Sequence, residues 1–146
     1  MADQTLTGAC LCRNITYRID LPASEPTPKV ILCHCTSCKR YTGSGFSANI
    51  AVPVSALTYT TGTPKVYLDA SDRGPQVRRE FCGDCGAPLS SQMGDVPHII
   101  IMKSGTLDDE HRASCELGME IFCSSKDAWV DGMKEETVQQ LDRGMS

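Results

Sequence analysis

Apolar and polar positions alternate with a period of two along most of this chain. Ile15, Tyr17, Ile19 and Leu21 alternate with polar residues through NITYRIDL, the pattern of a strand with one buried face. Shorter runs of similar character lie at KVILC (29–33), FSANIAV (46–52), LTYT (57–60), KVYLD (65–69), VRREF (77–81), HIIIM (98–102) and MEIF (119–122). Turn-forming stretches separate them: PASEPTP at 22–28, TGSG at 42–45, TGTP at 61–64 and SDRGP at 71–75. Many short strands between Gly- and Pro-rich turns predict an all-β domain of mainly antiparallel strands. PASEPTP reads as a surface loop, and SDRGPQ (71–76) as a hairpin or exposed loop. Between Asp127 and Leu141, the residues Val130, Met133, Val138 and Leu141 are spaced roughly as on a helix, so a short C-terminal helix is expected there.

A length of 146 residues fits a single domain, 1–146, with a core of about 5–130 and a tail at 131–146. Aromatic residues are only 5% of the chain, while 12 glycines and 8 prolines enrich it in turns. Such a chain is short of large core side chains, and bound metal can supply part of the missing folding free energy. The net charge of −4 and the pI near 5.3 argue against nucleic acid as a partner, because phosphate binding needs a basic face. The basic pairs Lys39-Arg40 and Arg78-Arg79 read as solvated faces. No uncharged apolar stretch approaches the ~20 residues of a membrane span. The start MADQTLTGAC lacks the basic and apolar regions of a signal peptide. A reducing, cytoplasmic location and no membrane partner are therefore expected.

Seven of the nine cysteines fall into three tight clusters: Cys10 and Cys12 in GACLC, Cys33, Cys35 and Cys38 in CHCTSCKR, and Cys82 and Cys85 in FCGDCG. An odd number of clustered cysteines does not suit a disulfide framework, whose cysteines are spread along a short secreted chain. Short-spaced thiols do suit a metal, because one turn brings two or three soft donors to a point. Seven donors divide into four and three. Cys10 and Cys12 most simply join Cys82 and Cys85, with Gly86 supplying the left-handed backbone that a Cys-X-X-Cys turn often demands. Cys33, Cys35 and Cys38 then form a second set, whose charge Lys39 and Arg40 could partly offset. That site is open if water or substrate takes its fourth position. It is closed if His34, His98, His111, Cys115 or Cys123 does, and a labile or empty site is the third alternative. His34 is expected to point away from the metal of its neighbours. Cys115 and Cys123 are expected to be small buried hydrophobes, Trp129 a packing anchor, and the acidic run Asp108, Asp109, Glu110 a solvent-exposed corner.

In order along the chain, GACLCRNITY, CHCTSCKRYTGSGF, FCGDCGAPL, SGTLDD and an ending at Trp129 resemble the glutathione-dependent formaldehyde-activating enzyme family, which also includes centromere protein V. The resemblance runs from about Gly8 to Trp129. It implies a β-tent-type fold with two zinc ions: a structural one on Cys10, Cys12, Cys82 and Cys85, and a catalytic one on Cys33, Cys35 and Cys38. The implied activity is a carbon–sulfur lyase reaction, the joining of glutathione and formaldehyde as S-hydroxymethylglutathione or its reversal. The expected partners are glutathione or a related thiol adduct and a small electrophile. Lys39, Arg40, Arg73 and Arg78 are the candidates to meet the carboxylates of such a thiol. The alternative from another class is a non-catalytic, zinc-stabilised binding module.

Overall fold

The computed structural model describes residues 3–71 and 74–144, built mostly of strand. Ten strands form in chain order: β1 (Gln4–Ala9), β2 (Thr16–Leu21), β3 (Val30–Cys33), β4 (Ser47–Pro53), β5 (Leu57–Thr61), β6 (Lys65–Asp69), β7 (Val77–Phe81), β8 (Pro88–Met93), β9 (Ile99–Lys103) and β10 (Leu117–Ile121). Three short helices are inserted between or after them: α1 (Thr36–Thr42), α2 (Asp109–Ala113) and α3 (Ala128–Asp131). The acidic run after SGTL is the start of α2: Asp109 and Glu110 are exposed as expected, and Asp108, at the N-cap, accepts a hydrogen bond from Thr7. The short C-terminal helix is α3, continued by a single 3₁₀ turn at Gly132–Lys134.

The strands form two sheets. One has the order β1-β2-β5, and the other has seven strands in the order β10-β3-β4-β9-β8-β7-β6. Pairing is antiparallel throughout except that β10 runs parallel to β3. The expected alternation in β2 is realised, with Ile15, Tyr17, Ile19 and Leu21 all buried. They meet Ile50 and Val52 of β4, Leu89 of β8, and Ile100 and Met102 of β9 in a single apolar cluster between the sheets. The Tyr17 ring also meets Tyr59 of β5 edge-on, and its hydroxyl shares a 2.8 Å hydrogen bond with Thr106.

Because side chains on a strand alternate between faces, every second residue of β4, β7, β8 and β9 points away from this core. In β4 those residues are Ser47 and Asn49, and in β9 Lys103 lies opposite Asn49. In β8 the residue is Ser91, opposite Arg79 of β7. All five are buried, so the outer face of the large sheet carries a covered polar band. The covering element is α1, whose Tyr41 hydroxyl donates to the backbone carbonyls of Glu80 and Ser90. No helix among the described residues is long and apolar enough to cross a membrane.

Candidate functional site

Two groups of thiols converge. Cys10 and Cys12 occupy the turn between β1 and β2, and Cys82 and Cys85 the turn between β7 and β8. These hairpin tips belong to different sheets, yet all four sulfurs lie within 4.8 Å of one another. The Cys10–Cys12 and Cys12–Cys82 separations are 3.6 and 3.8 Å. A tetrahedron of sulfurs with metal–sulfur distances of about 2.3 Å has edges of about 3.8 Å, so the set fits a soft divalent metal such as zinc. Backbone N–H groups support the sulfurs: Ile15 donates to Cys10 at 3.3 Å, and Asp84 and Cys85 donate to Cys82 at 3.4 and 3.5 Å. Gly86 has φ +77 and donates its N–H to the Cys82 carbonyl, as the Cys-X-X-Cys turn requires. The Ala87 backbone N–H, with further hydrogen bonds, pulls the Cys85 thiol down to about 6. Cys12 moves the other way, to about 12; a backbone bond from Asn14 lowers it, but desolvation and the Cys10, Cys85 and Cys82 thiols outweigh that bond.

The second group sits where β3 runs into α1. Cys33 ends the strand, and Cys35 is the N-cap of the helix, its sulfur accepting the Cys38 N–H at 3.3 Å. A helix of seven residues is stopped at Gly43, in left-handed conformation. The three sulfurs lie within 4.8 Å of one another, and no further His, Cys, Asp or Glu among the described residues joins them. His34 is fully buried and turned to Glu120, with Nε2 2.9 Å from its carboxylate, and the Nδ1 atom has no hydrogen-bond partner. Cys115 donates to the His111 carbonyl. Cys123 is exposed, against the expectation of a buried thiol, because the turn after β10 carries it to the surface. The three-thiol set also fits a soft divalent metal, with one coordination position not filled by these side chains.

Behind this cluster stands the polar band. The Cys38 thiol is drawn down to about 4, first by a hydrogen bond from Cys33, then by the Ser47 hydroxyl, Cys35 and the charge of Lys103, all against burial. Cys33 is pushed up in turn, by its bond to Cys38 and by desolvation. Ser47 Oγ accepts from Asn49 Nδ2 at 2.9 Å, and Asn49 Oδ1 accepts from Lys103 Nζ at 2.6 Å. Lys103 also donates to Ser91 Oγ at 3.3 Å, and burial lowers it to about 8 although the cluster's negative charge acts the other way. Arg79 pairs with Asp69 at 2.9 Å, donates to Ser91 at 3.1 Å and lies 5.1 Å from the centre of the Tyr41 ring. The cations nearest the cluster are therefore not those expected. Lys39 is bound to the Ser125 carbonyl and Asp127, and Arg79 is only 7% exposed rather than part of a solvated pair. The one sequence signal for this band is the alternation of Ser47 and Asn49 within an otherwise apolar strand.

A cleft of about 510 Å³ opens beside α1, lined by Ser37, Arg40, Tyr41, Tyr67, Asp69, Arg79, Phe81 and Gly86. Ser37, Arg40 and Tyr41 belong to α1, the helix that carries Cys38 and is capped by Cys35, but none of the three thiols lines the cleft. Arg40 is exposed there, with no ion pair among the described residues. Arg78 is directed to Glu80 at 3.5 Å, and Arg73 lies outside the described residues. Trp129 is a half-exposed anchor, its ring packed so closely on Gly45 that a Cβ there would sit 2.3 Å from it. A second cleft, of similar volume, borders the Cys10 turn and the start of α2.

The profile of the family described as glutathione-dependent formaldehyde-activating enzyme matches residues 5–125, which include all seven clustered cysteines. The chain belongs to this family. Two fungal relatives share the description "Putative glutathione-dependent formaldehyde-activating enzyme". The Phaeosphaeria nodorum protein is 28% identical over 82 residues, which are 56% of this chain and 42% of that protein. The Emericella nidulans protein is 26% identical over 91 residues, or 62% and 45% of the two chains. The chain thus spans less than half the length of these curated relatives. A crystal structure of a Rhodobacter sphaeroides protein superimposes with a TM-score of 0.57 at 17% identity, covering 77% of this chain and 99% of that one. That likeness places this member of the formaldehyde-activating family in a fold also seen by experiment.

Proposed function

We propose that the chain is a zinc enzyme that makes or breaks a carbon–sulfur bond between a thiol, glutathione in the first instance, and formaldehyde or a related small electrophile. The observation that carries this reading is the three-thiol cluster, which no fourth His, Cys, Asp or Glu among the described residues joins, at the start of the helix α1 whose Arg40 lines a cleft without an ion pair among those residues. In it, Cys10, Cys12, Cys82 and Cys85 hold a structural zinc, and Cys33, Cys35 and Cys38 hold the catalytic one. When bound there, the metal supplies Lewis acidity and a site that favours a thiolate over a thiol.

The chain's own part is binding and orientation. Arg40 meets a carboxylate of the thiol substrate at the rim of the cleft, while Tyr41 and Tyr67 wall its backbone. The reaction adds the thiol across the carbonyl. A sulfur–carbon bond forms, the carbon–oxygen π pair goes to oxygen, and the thiol proton ends on that oxygen. No redox partner is needed, and the reverse is the lyase direction.

Glutathione binding is expected to release a proton at neutral pH, because a free thiol with a pKa of roughly 8.5 must ionise to bind a metal. Calorimetry in two buffers of different ionisation enthalpy measures that proton. Binding without proton release, and without a change in the thiolate bands of the cobalt-substituted protein, would leave the zinc-stabilised binding module as the function. Arg40→Ala is expected to raise KM for glutathione about tenfold, the worth of about 1.4 kcal/mol, and to leave 2-mercaptoethanol, which has no carboxylate, unaffected. Equal losses for both thiols would place Arg40 elsewhere.

A further inference from the structure

Lys103 ends β9 with 5% of its surface exposed, yet no carboxylate among the described residues pairs with it. Its two hydrogen-bond partners, Asn49 Oδ1 and Ser91 Oγ, are neutral. The neighbouring cation, Arg79, differs in having Asp69 at 2.9 Å. An ammonium buried without a counter-ion costs several kcal/mol, so a chain that keeps one needs negative charge elsewhere. Among the described residues Asp69 is taken up by Arg79, and the negative charge left to act on Lys103 is that of the thiol cluster. Asn49 hands the polarity on, from Lys103 through Nδ2 to Ser47 Oγ, and Ser47 lies directly opposite Cys33 in the β3–β4 pairing. Three thiolates around a divalent cation carry a net −1, the complement of one ammonium.

We propose that Lys103 is the counter-ion of the metal-loaded three-thiol site, a positioning residue that sets how tightly this site, and not the four-thiol site, holds its metal. The inference rests on the reading that Cys33, Cys35 and Cys38 bind zinc as thiolates. It goes further in assigning the charge balance to a residue 65 positions beyond Cys38 in the chain. Ser47 and Asn49 are the polar links between the two, and the burial of the band keeps water from screening the attraction.

The four-thiol cluster serves as an internal control. The full chain, loaded with two equivalents of zinc, is titrated with a chelator, and zinc release is followed for the wild type, Lys103→Met and Lys103→Gln. In both variants the more labile zinc is expected to leave at a chelator concentration at least tenfold lower. The tighter zinc and the far-ultraviolet circular dichroism should remain unchanged. Release curves identical to the wild type overturn the assignment. So does equal loosening of both zincs together with a lower thermal midpoint, or failure of both variants to fold, since each means that the fold itself needs the ammonium. A wild-type chain that retains a single zinc sinks the metal reading of the three-thiol cluster itself, and this inference with it.

Discussion

Cys82→Ser is expected to unfold much of the domain. Cys82 is 1% exposed, and its sulfur lies against Cys12, accepts two backbone N–H groups and closes the joint between two hairpin tips from different sheets. Cys12 and Cys82 are 70 residues apart. Cross-linking a loop of that length removes about 4 kcal/mol of chain entropy from the unfolded state, by analogy with a disulfide. A serine oxygen is a harder donor on a shorter bond, so the metal-binding free energy that supports folding falls as well. At about 3 °C per kcal/mol for a domain of this size, the thermal midpoint should fall by about 10–15 °C or more, with one zinc lost per chain. Calorimetry and metal analysis check both. A variant that melts with the wild type after losing one zinc would show that the joint does not hold the fold.

Cys35→Ser should do nearly the opposite. Cys35 caps α1 through its sulfur, and serine is a preferred N-cap whose hydroxyl can accept the same Cys38 N–H. The helix therefore keeps its start, while the soft donor is lost from a site with only three. Turnover of the thiol adduct should fall at least about a hundredfold, and the zinc bound at this site should become labile, with the melting temperature shifting by only a few degrees. If Cys35→Ser unfolds as readily as Cys82→Ser, the division into a structural and a reactive cluster is wrong.

The thiol pairs and the triplet were legible in the sequence because their spacings are local, and the two distant pairs, 70 residues apart, could be joined because each supplies only half of a four-donor site. The strands with clean alternation were legible from a local pattern too, β2 above all. What escaped depends on distant pairing. The segment QTLTGA has a single large apolar residue and becomes β1 because β2 lies beside it from Gln4 to Ala9. PLSSQM begins with proline and is polar, yet it is the central-sheet strand β8, its serines buried beside Glu80 and Lys103. TSCKRYT is too short to show a helical period and is fixed by its cap and by Gly43. Lys103 follows HIIIM like any solvated lysine at a strand end, and only its register opposite Asn49 puts it indoors.

The covered polar band has a consequence for how such a protein can change. On β4 and β9 the odd- and even-numbered residues serve separate masters. Ile50, Val52, Ile100 and Met102 hold the two sheets together, while Ser47, Asn49 and Lys103 face α1 and the thiols. Substitutions of one parity can retune the surroundings of the thiols while leaving the packing between sheets in place, and those of the other parity can harden the scaffold without altering those surroundings. A library restricted to 47, 49, 91 and 103 would vary the electrostatics around the three-thiol cluster on a nearly constant frame, which makes this sheet a favourable place to test how charge tunes that cluster.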